Sequence, residues 1–381
     1  MSGFFHGVEV VELDSGSRPI QTVRSSVIGL VGTADEADSD QFPINEPVMV
    51  VNRTEAAKLG TKGTLPDAID LIFDQIGAII VVIRVEASDD AATQLANIQG
   101  GVDTETEQRT GVHALLDAES KLGVKPRLLT VPSFTTETGI VAELLGIAET
   151  LTAIIIAEAP STTDAAAQTY AGNFGSPRVY VIDPQVEVLK NGVKTYLPSS
   201  PAIAGLIAKI DNDYGWHYSP SNHELNGITG TARAIEYSLQ DNSRANLLNE
   251  QNVNVLIRQN GWRLWGNRTT SSDPKWQFLC VRRTADMLNE SLVVAHQWAV
   301  DRGITKTFTE DITMSVNDYL RTLTAQGRIL GGSCWVDESV NTNNEIKSGH
   351  ITFDFDFTPV YPAERITFRS RLTDDYIQEI F

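Results

Sequence analysis

The C-terminal stretch, residues 349–381, constrains the fold more than any other part of the sequence. Apolar and polar side chains alternate over residues 351–358, which is the period of a strand with one buried and one solvated face. Pro359 and Pro362 interrupt the pattern, because a residue without an N–H is confined to sheet edges and turns. A second run at 366–372 then predicts a terminal strand. Such a strand pairs either within its own domain or with the sheet edge of a neighbouring molecule.

The charge balance limits the partners of the chain. Its 381 residues include 30 basic and 49 acidic ones, which gives a net charge of −19. This balance argues against nucleic-acid phosphate and against anionic membrane surfaces, since both attract clustered lysine and arginine. Like-charged copies repel one another, so any self-assembly must depend on specific contacts. The N-terminus carries no signal-peptide pattern, and no apolar run approaches the roughly 20 residues of a membrane span.

The sequence contains two cysteines, Cys280 and Cys334. So few cysteines in a chain of this length indicate a reducing compartment. We interpret them as buried thiols, because free cysteine packs as a small apolar residue; a redox pair is the alternative.

Short apolar runs alternate with amphipathic segments through the first half of the chain. This succession of strands and helices predicts an α/β domain with a mostly parallel sheet. The predicted strands are residues 26–33, 47–51, 78–85, 127–131, 153–157 and 178–182, and the predicted helices are residues 65–76, 137–151, 163–171 and 202–210. Residues 87–110 are polar and acidic, and we interpret them as an insertion loop.

The pattern changes after about residue 211. The predicted elements beyond it form an α+β unit. They are two amphipathic helices at about 282–300 and 309–327, and two paired strands at 334–340 and 349–358. A short apolar run at residues 4–13 predicts an N-terminal strand arm. From the residues alone, the chain is an α/β plus α+β protein with strand-like arms at both ends.

No motif gathers the groups of an active site. Residues 60–64, Gly-Thr-Lys-Gly-Thr, precede a predicted helix, but a phosphate-binding loop needs Gly-Lys-Ser/Thr in contiguous order. His217 and His223 match no metal-binding spacing, and we interpret them as loop histidines. Asp354 and Asp356 lie on the predicted wet face of a strand, where solvated charge is the default interpretation. We therefore predict no catalytic, cofactor or metal site; an α/β enzyme with an unrecognised site is the rival interpretation.

Several segments resemble the tail sheath proteins of contractile-tailed bacteriophages and of the related R-type bacteriocins. The most specific are GWRLWGNRT at residues 261–269 and the terminal segment 354–374. The resemblance also covers FFHGVEVVEL at 4–13, SVIGLVGTA at 26–34, KGTLPDAID at 62–70, LNGITGTAR at 225–233 and AHQWAVDRGIT at 295–305. It implies a structural, non-enzymatic subunit that forms stacked hexameric rings around a tail tube. Contraction of such a sheath drives the tube through the host envelope.

The resemblance implies a particular fold class, α/β + α+β. An outer α/β domain is inserted in an inner α+β domain, with extended N- and C-terminal strand arms. The implied parts are an N-terminal arm at residues 1–24, the outer α/β domain at 25–215, the inner α+β domain at 216–358 and a C-terminal arm at 359–381.

Both arms are expected to add strands to the sheets of neighbouring subunits. Main-chain hydrogen bonds would strengthen these joints, and alternate side chains would set their register. The expected subunit-interface residues are Phe5, Val8, Val10, Val11, Leu13, Ile366, Phe368, Arg369, Arg371 and Leu372. The expected hinges are Gly16, Pro19, Pro359 and Pro362. For each arm, an edge strand within the same molecule is the alternative.

The resemblance also implies that one helix of the inner domain contacts the tube. We expect this contact on the helix at 309–327; an ordinary solvated face is the alternative. The expected tube-facing residues are Asp311, Asn317, Arg321 and Gln326.

The implied partners are further copies of the chain, the tail tube protein, and the baseplate and tail terminator proteins, with no nucleic acid, membrane or cofactor. The protein is expected in the virion tail, after synthesis in the cytoplasm of the bacterial host. The sheath of a bacteriocin or of another contractile injection system is the alternative function.

Overall fold

The computed structural model describes residues 19–238, 243–374 and 376. Most of the predicted N-terminal arm therefore lies outside the described residues. The expected interface and hinge residues in that part are Phe5, Val8, Val10, Val11, Leu13 and Gly16.

The described residues contain both strands and helices throughout. The strands are β1 (Ile28–Thr33), β2 (Pro47–Val50), β3 (Ile80–Val85), β4 (Gly101–Val102), β5 (Arg109–Thr110), β6 (Leu128–Thr130), β7 (Ile154–Glu158), β8 (Val179–Asp183), β9 (Val186–Lys190), β10 (Val193–Leu197), β11 (Gly230–Thr231), β12 (Val253–Arg258), β13 (Trp262–Trp265), β14 (Ile329–Trp335) and β15 (Asp354–Pro359). The helices are α1 (Arg53–Ala56), α2 (Leu65–Gln75), α3 (Ala91–Gln99), α4 (Ala118–Leu122), α5 (Thr138–Leu151), α6 (Asp164–Ala171), α7 (Ser200–Asp213), α8 (Arg244–Glu250), α9 (Leu279–Ala295), α10 (Lys306–Ala325) and α11 (Asn343–Lys347). Among the described helices, none is long and apolar enough to cross a membrane.

Eight of the strands form one large sheet, in the order β13-β12-β8-β7-β6-β1-β3-β2. Its interior pairs are parallel, whereas β2 and β13 are antiparallel to their neighbours at the two edges. β1, β7 and β8 are buried along their whole length, because separate apolar cores cover the two faces of the sheet. The predicted α/β layer with a mostly parallel sheet is confirmed.

The large sheet extends further along the chain than the predicted outer domain. β12 pairs in parallel with β8, with Val253 opposite Val181, and β13 pairs with β12. The predicted boundary after residue 215 therefore lies before two strands that complete the sheet. A short apolar run identifies β12 as a buried strand, but nothing in the run itself tells which sheet it joins.

Two local predictions were wrong. Residues 87–110 contain α3 and the small β4–β5 hairpin rather than a loop, and Asp90 begins the helix by accepting a hydrogen bond from the Thr93 amide at 2.8 Å. The strand predicted at 334–340 is β14, which lies earlier in the chain. Its glycines obscure the strand pattern, yet Gly332 is needed there, because a Cβ would lie 2.6 Å from the Asp356 carbonyl oxygen.

A second, smaller unit is built from α9, α10, β14 and β15 around its own apolar core. The start of the described chain belongs to this unit, since Ile20 and Val23 pack against the same core. The Thr22 hydroxyl also lies 2.8 Å from the hydroxyl of Tyr319 on α10. The chain therefore contacts the C-terminal unit before it enters β1 and returns to that unit after the large sheet is complete.

Helix α9 joins the two units through buried ion pairs. Arg283 binds Asp211 of α7, with one N–O distance of 2.6 Å, and Asp286 accepts hydrogen bonds from Arg178 at 3.0 and 3.1 Å. Glu290 accepts a hydrogen bond from Lys125 at 2.9 Å and lies 3.0 Å from Arg127. Separating α9 from the sheet unit would leave buried charges without their partners, which is strongly unfavourable. These contacts therefore hold α9 against the sheet unit.

Candidate assembly interface

The C-terminal unit presents a two-stranded antiparallel ribbon, β14–β15. Phe353, Phe355 and Phe357 point toward the core of the unit, and Asp354 and Asp356 alternate with them on the opposite face. The predicted alternation is therefore confirmed over residues 353–357, although β15 begins at Asp354, later than the strand predicted at 349–358. Two strands alone are marginally stable in water, so the ribbon depends on the helices behind it and leaves strand edges for other partners.

One edge of the ribbon is occupied by the side chain of Asn317. Its Nδ2 donates to the Cys334 carbonyl oxygen at 2.8 Å, and its Oδ1 accepts from the Cys334 amide at 2.9 Å. The amide thus pairs with β14 as a neighbouring peptide group would. Asn317 was expected to face the tube, but this side chain is engaged within the subunit, at a strand edge that the helical periodicity could not reveal.

The second edge of the ribbon belongs to β15. Among the described residues, no strand pairs with it. A groove of about 1240 Å³ lies between the apolar face of the ribbon and the residues of α9, α10 and the segment that joins them. Much of its lining is apolar, and includes Leu292, Val293, Ile304, Phe308, Phe353 and Phe355. This groove gave no local signal in the sequence, because its walls come from four separate segments.

The chain beyond β15 is anchored at Glu364, and the residues that follow are exposed. Glu364 accepts two hydrogen bonds from the guanidinium of Arg268, at 2.7 and 2.5 Å. This pairing raises the pKa of Arg268 above its usual range. Past it, Ile366 is 70% exposed, Phe368 is 93% exposed and Leu372 is fully exposed. Three large apolar side chains on one short segment are therefore left without a core of their own.

The expected hinge prolines differ in their surroundings. Pro359 is the last residue of β15, where it is buried and lies opposite Ile329 of β14. Pro362 lies in the irregular segment that follows, where its carbonyl oxygen accepts the amide of Glu364 at 3.0 Å. Pro19 lines a cleft together with Gln326 near the end of α10.

The outer face of α10 carries the remaining residues expected to contact a tube. Asp311 and Arg321 are exposed, and Arg321 forms an ion pair with Asp318 one turn away. Met314 is 54% exposed on the same helix and was not singled out from the sequence. Gln326 follows the helix and is exposed at its C-terminal end. The face is thus a mixed charged strip with one apolar side chain.

The carboxyl edge of the large sheet is where α/β proteins usually bind ligands. Here Glu158 at the end of β7 accepts hydrogen bonds from the Ser200 hydroxyl at 2.6 Å and the Ser133 amide at 3.1 Å. Burial raises the pKa of Glu158 despite these bonds. At the end of β8, Asp183 lies 2.7 Å from Arg233. These groups are engaged by one another, and within the described ranges no three His, Cys, Asp or Glu residues are placed to hold a metal ion.

Both cysteines are buried and free, as predicted. Burial, together with the nearby carboxylate of Asp354, raises the pKa of Cys334 to about 11. Burial also raises the pKa of Cys280. Both thiols therefore stay protonated at neutral pH and pack as apolar groups.

Comparison with known families covers nearly the whole chain. Residues 25–85 match a model of the tail sheath protein Gp18 domain III N-terminal region, residues 107–270 match the phage tail sheath protein central domain, and residues 271–373 match the phage tail sheath C-terminal domain. The tail sheath protein of Escherichia phage P2 is 40% identical over 392 residues, which span 100% of this chain and 98% of that protein. The chain belongs to the phage tail sheath protein family. The resemblance noted in the sequence is thereby confirmed.

Further relatives agree with this assignment. The major tail sheath protein of Serratia phage KSP20 is 36% identical, with 99% of this chain and 98% of that protein covered. Among solved structures, the helical sheath of the anti-feeding prophage in its contracted state has a TM-score of 0.74 at 22% identity. That match covers 97% of this sheath-family chain and 99% of the other. At this identity the likeness establishes a shared fold.

Proposed function

We propose that this protein is the structural subunit of a contractile phage tail sheath. It assembles as stacked hexameric rings around a tail tube in the virion, and contraction drives the tube through the host envelope. The end-to-end match to phage tail sheath proteins carries the proposal. The tail tube, baseplate and tail terminator proteins are its partners. The phage relatives favour a phage tail over a bacteriocin or another injection system.

The division into two domains separates the core of the C-terminal unit from the two cores that cover the large sheet. An inner domain forms from residues 19–25 and the C-terminal unit, and the α/β domain is inserted between them. The packing of Ile20 and Val23 on the C-terminal core supports this arrangement. The inserted domain then includes β12 and β13, because both belong to the large sheet.

The C-terminal arm is proposed to add a strand to a neighbouring subunit. Its apolar side chains at Ile366, Phe368 and Leu372 are exposed in the single chain. Burying each of them on a neighbour would contribute about 1.5–3 kcal/mol. The N-terminal run at residues 4–13 is proposed to act in the same way. Arms of this kind would keep subunits connected while their packing changes.

The proposed contraction is a cooperative change between two packings of the same subunit. Two packings of one sequence compete when they differ by a few kcal/mol, and linked subunits sum that difference along the tail. A kinetic barrier would hold the extended sheath until it is triggered. The buried ion pairs of α9 favour movement of the two domains together.

The tube contact is proposed to lie on the outer face of α10. Asp311, Arg321 and Gln326 are exposed there, with Met314 between them. Exposed charges make contacts that salt weakens, and such a contact breaks more readily than an apolar one. A weak tube contact suits a sheath that must slide past its tube on triggering.

Electron microscopy of the purified, concentrated protein tests the proposal. Two forms are compared: the full chain, and a variant lacking residues 366–381 that keeps the Arg268–Glu364 ion pair. Hollow striated cylinders from the full chain and none from the truncated one are expected. Cylinders from both forms would support the sheath function but show that the C-terminal arm is not required to connect the subunits. A full chain that stays monomeric even when co-expressed with its tube and baseplate proteins would overturn the proposal.

A further inference from the structure

The carboxyl edge of the large sheet holds a buried carboxylate that is bound by N–H and O–H groups alone. Glu158, the last residue of β7, is 4% exposed. Its Oε1 accepts the Ser200 amide at 3.0 Å and the Ser200 hydroxyl at 2.6 Å, and its Oε2 accepts the Ser133 amide at 3.1 Å. In the described part of the chain, no lysine or arginine forms an ion pair with it. These donors therefore replace the cation that a buried carboxylate usually requires.

The first of these amides belongs to the start of α7. Within the described ranges, the N-cap residue Ser199 makes no side-chain capping hydrogen bond to α7, and Pro201 has no N–H to offer. The first amides of any helix lack partners inside the helix, and its N-terminus attracts negative charge. Glu158 therefore supplies, from β7, the acceptor that α7 does not find in its own sequence.

The second amide comes from the turn that follows β6. Ser133 has a φ of 71°, in the left-handed region, and its N–H donates to Oε2 of Glu158. The same turn is held a second time, because the Glu158 amide donates to the Thr135 hydroxyl at 3.1 Å. A turn and a helix start from distant parts of the sequence thus converge on one carboxylate. Donors placed in this way at the carboxyl edge of a parallel sheet are the means by which α/β proteins hold anionic ligands.

We propose that the amides of Ser133 and Ser200 and the Ser200 hydroxyl form an anion-binding site that the chain fills itself, with Glu158 as its internal ligand. We call these three donors the carboxylate cradle. The cradle accepts a small monocarboxylate, so acetate or propionate binds there once the Glu158 side chain is removed. Propionate has the same number of carbon atoms as that side chain and the same carboxylate. The inference concerns the folded subunit and does not rest on the proposed sheath function.

An internal ligand suits a subunit whose role is structural. A bound small molecule dissociates, whereas a side chain remains, so the carboxylate joins β7, the turn after β6 and α7 at all times. From the cradle, α7 runs about 16 Å to Asp211, which binds Arg283 of α9 at the junction with the C-terminal unit. The carboxylate that fixes the start of α7 therefore also helps to set the position of that junction.

Chemical rescue tests the cradle. Glu158→Gly empties it, and thermal melting at pH 7 compares sodium propionate and sodium acetate with sodium chloride at equal ionic strength. A ligand that binds only the folded state raises the melting temperature. At ten times its dissociation constant, propionate should raise that of Glu158→Gly by about 3–5 °C. The parental chain, whose cradle is full, should show only the small general effect of these salts. A variant that responds no more than the parent would overturn the proposal.

Two controls separate recognition of the carboxylate from general effects. Propionamide has nearly the shape of propionate but carries an NH₂ group in place of one oxygen, so it should not stabilise Glu158→Gly. Glu187→Gly removes a carboxylate from β9, where the side chain of its partner Lys194 is 72% exposed, and propionate should not stabilise that variant. An equal shift with propionamide, or an equal shift in Glu187→Gly, would overturn the proposal.

Glu158→Gln keeps the volume of the side chain and gives a second test. Each carboxylate oxygen faces a backbone N–H, so the NH₂ group of a glutamine would meet one of these donors. The variant should therefore melt about 3 °C or more below the parent, and propionate should not restore it, because the cradle is still filled. A parental melting temperature would overturn the proposal, since a neutral amide would then serve as well.

Refolding replaces melting if Glu158→Gly is insoluble in chloride. The chain is unfolded in urea and diluted into propionate, propionamide or chloride, and the soluble fraction is measured. Several-fold more soluble protein in propionate than in the other two solutions is expected. Recovery that does not depend on the carboxylate would overturn the proposal.

Discussion

At the scale of single residues, Asn317 carries a sharp prediction. Its amide satisfies both backbone groups of Cys334. Asn317→Ala leaves them without that partner, and unsatisfied backbone groups cost about 1–3 kcal/mol. The free energy of unfolding in urea should fall by about this amount. Gln326→Ala, at an exposed position after the same helix, should change it by less than about 0.5 kcal/mol. Equal values for the two variants would contradict the role given to Asn317.

The sequence predicted whether some residues are buried or exposed, but it did not predict which residues they contact. Strand alternation placed Asp354 and Asp356 on the wet face of β15, and the structure agrees. Alternation depends on the chain itself, so it can be read locally. Helical periodicity placed Asn317 on the polar face of its helix. The sequence does not show that a strand edge lies against that face. Its two bonds to Cys334 join residues from different elements.

At the scale of elements, the Arg268–Glu364 ion pair should fix where the C-terminal arm begins. Glu364→Ala removes the anchor, so trypsin should cut after Arg365 several-fold faster, because cleavage follows the population of the open form. Cleavage after Arg371 is the internal control, since Arg371 lies seven residues beyond the anchor at Glu364. An unchanged rate of cleavage after Arg365 would show that the Arg268–Glu364 ion pair does not restrain this segment. The sites are followed by mass spectrometry.

Elements with strong local signals were predicted, and those defined by their neighbours were not. β1 and β7 are buried apolar runs, and their sequences were sufficient to place them. β12 has the same kind of sequence, but its place beside β8 depends on a parallel pairing between distant segments. α3 was missed although Asp90 is a good N-cap, because its polar composition concealed a helix whose buried face is narrow.

At the scale of the whole molecule, α9 links the C-terminal unit to the sheet unit through charged contacts. Arg283 and Asp286 pair with residues that lie far away in the sequence, on α7 and next to β8. No periodicity in α9 could have revealed these partners, because an ion pair across units leaves no local pattern. The resemblance implied two domains, and the structure adds that the junction between the two units contains buried ion pairs. Such a junction should respond to pH where an apolar one would not.

Glu290 is the group whose titration should expose this junction. Burial raises the pKa of Glu290, but Arg127 and Lys125 outweigh that effect and hold the pKa at about 2, below its ordinary value of 4.5. A carboxyl group with a depressed pKa stabilises the fold above its ordinary pKa, and that stabilisation is lost as the pH falls toward the folded value. The free energy of unfolding should therefore decline between pH 4.5 and pH 2.

Glu290→Gln should remove part of that decline. The variant is expected to be less stable than the parent at pH 7 by about 1–2 kcal/mol, after allowance for solvent screening, and to approach it near pH 2. Chemical denaturation at a series of pH values measures both curves. Glu119→Gln, which changes an exposed carboxylate on α4, should retain the parental slope. A parental slope in Glu290→Gln as well would show that the acid-sensitive contact does not involve Glu290.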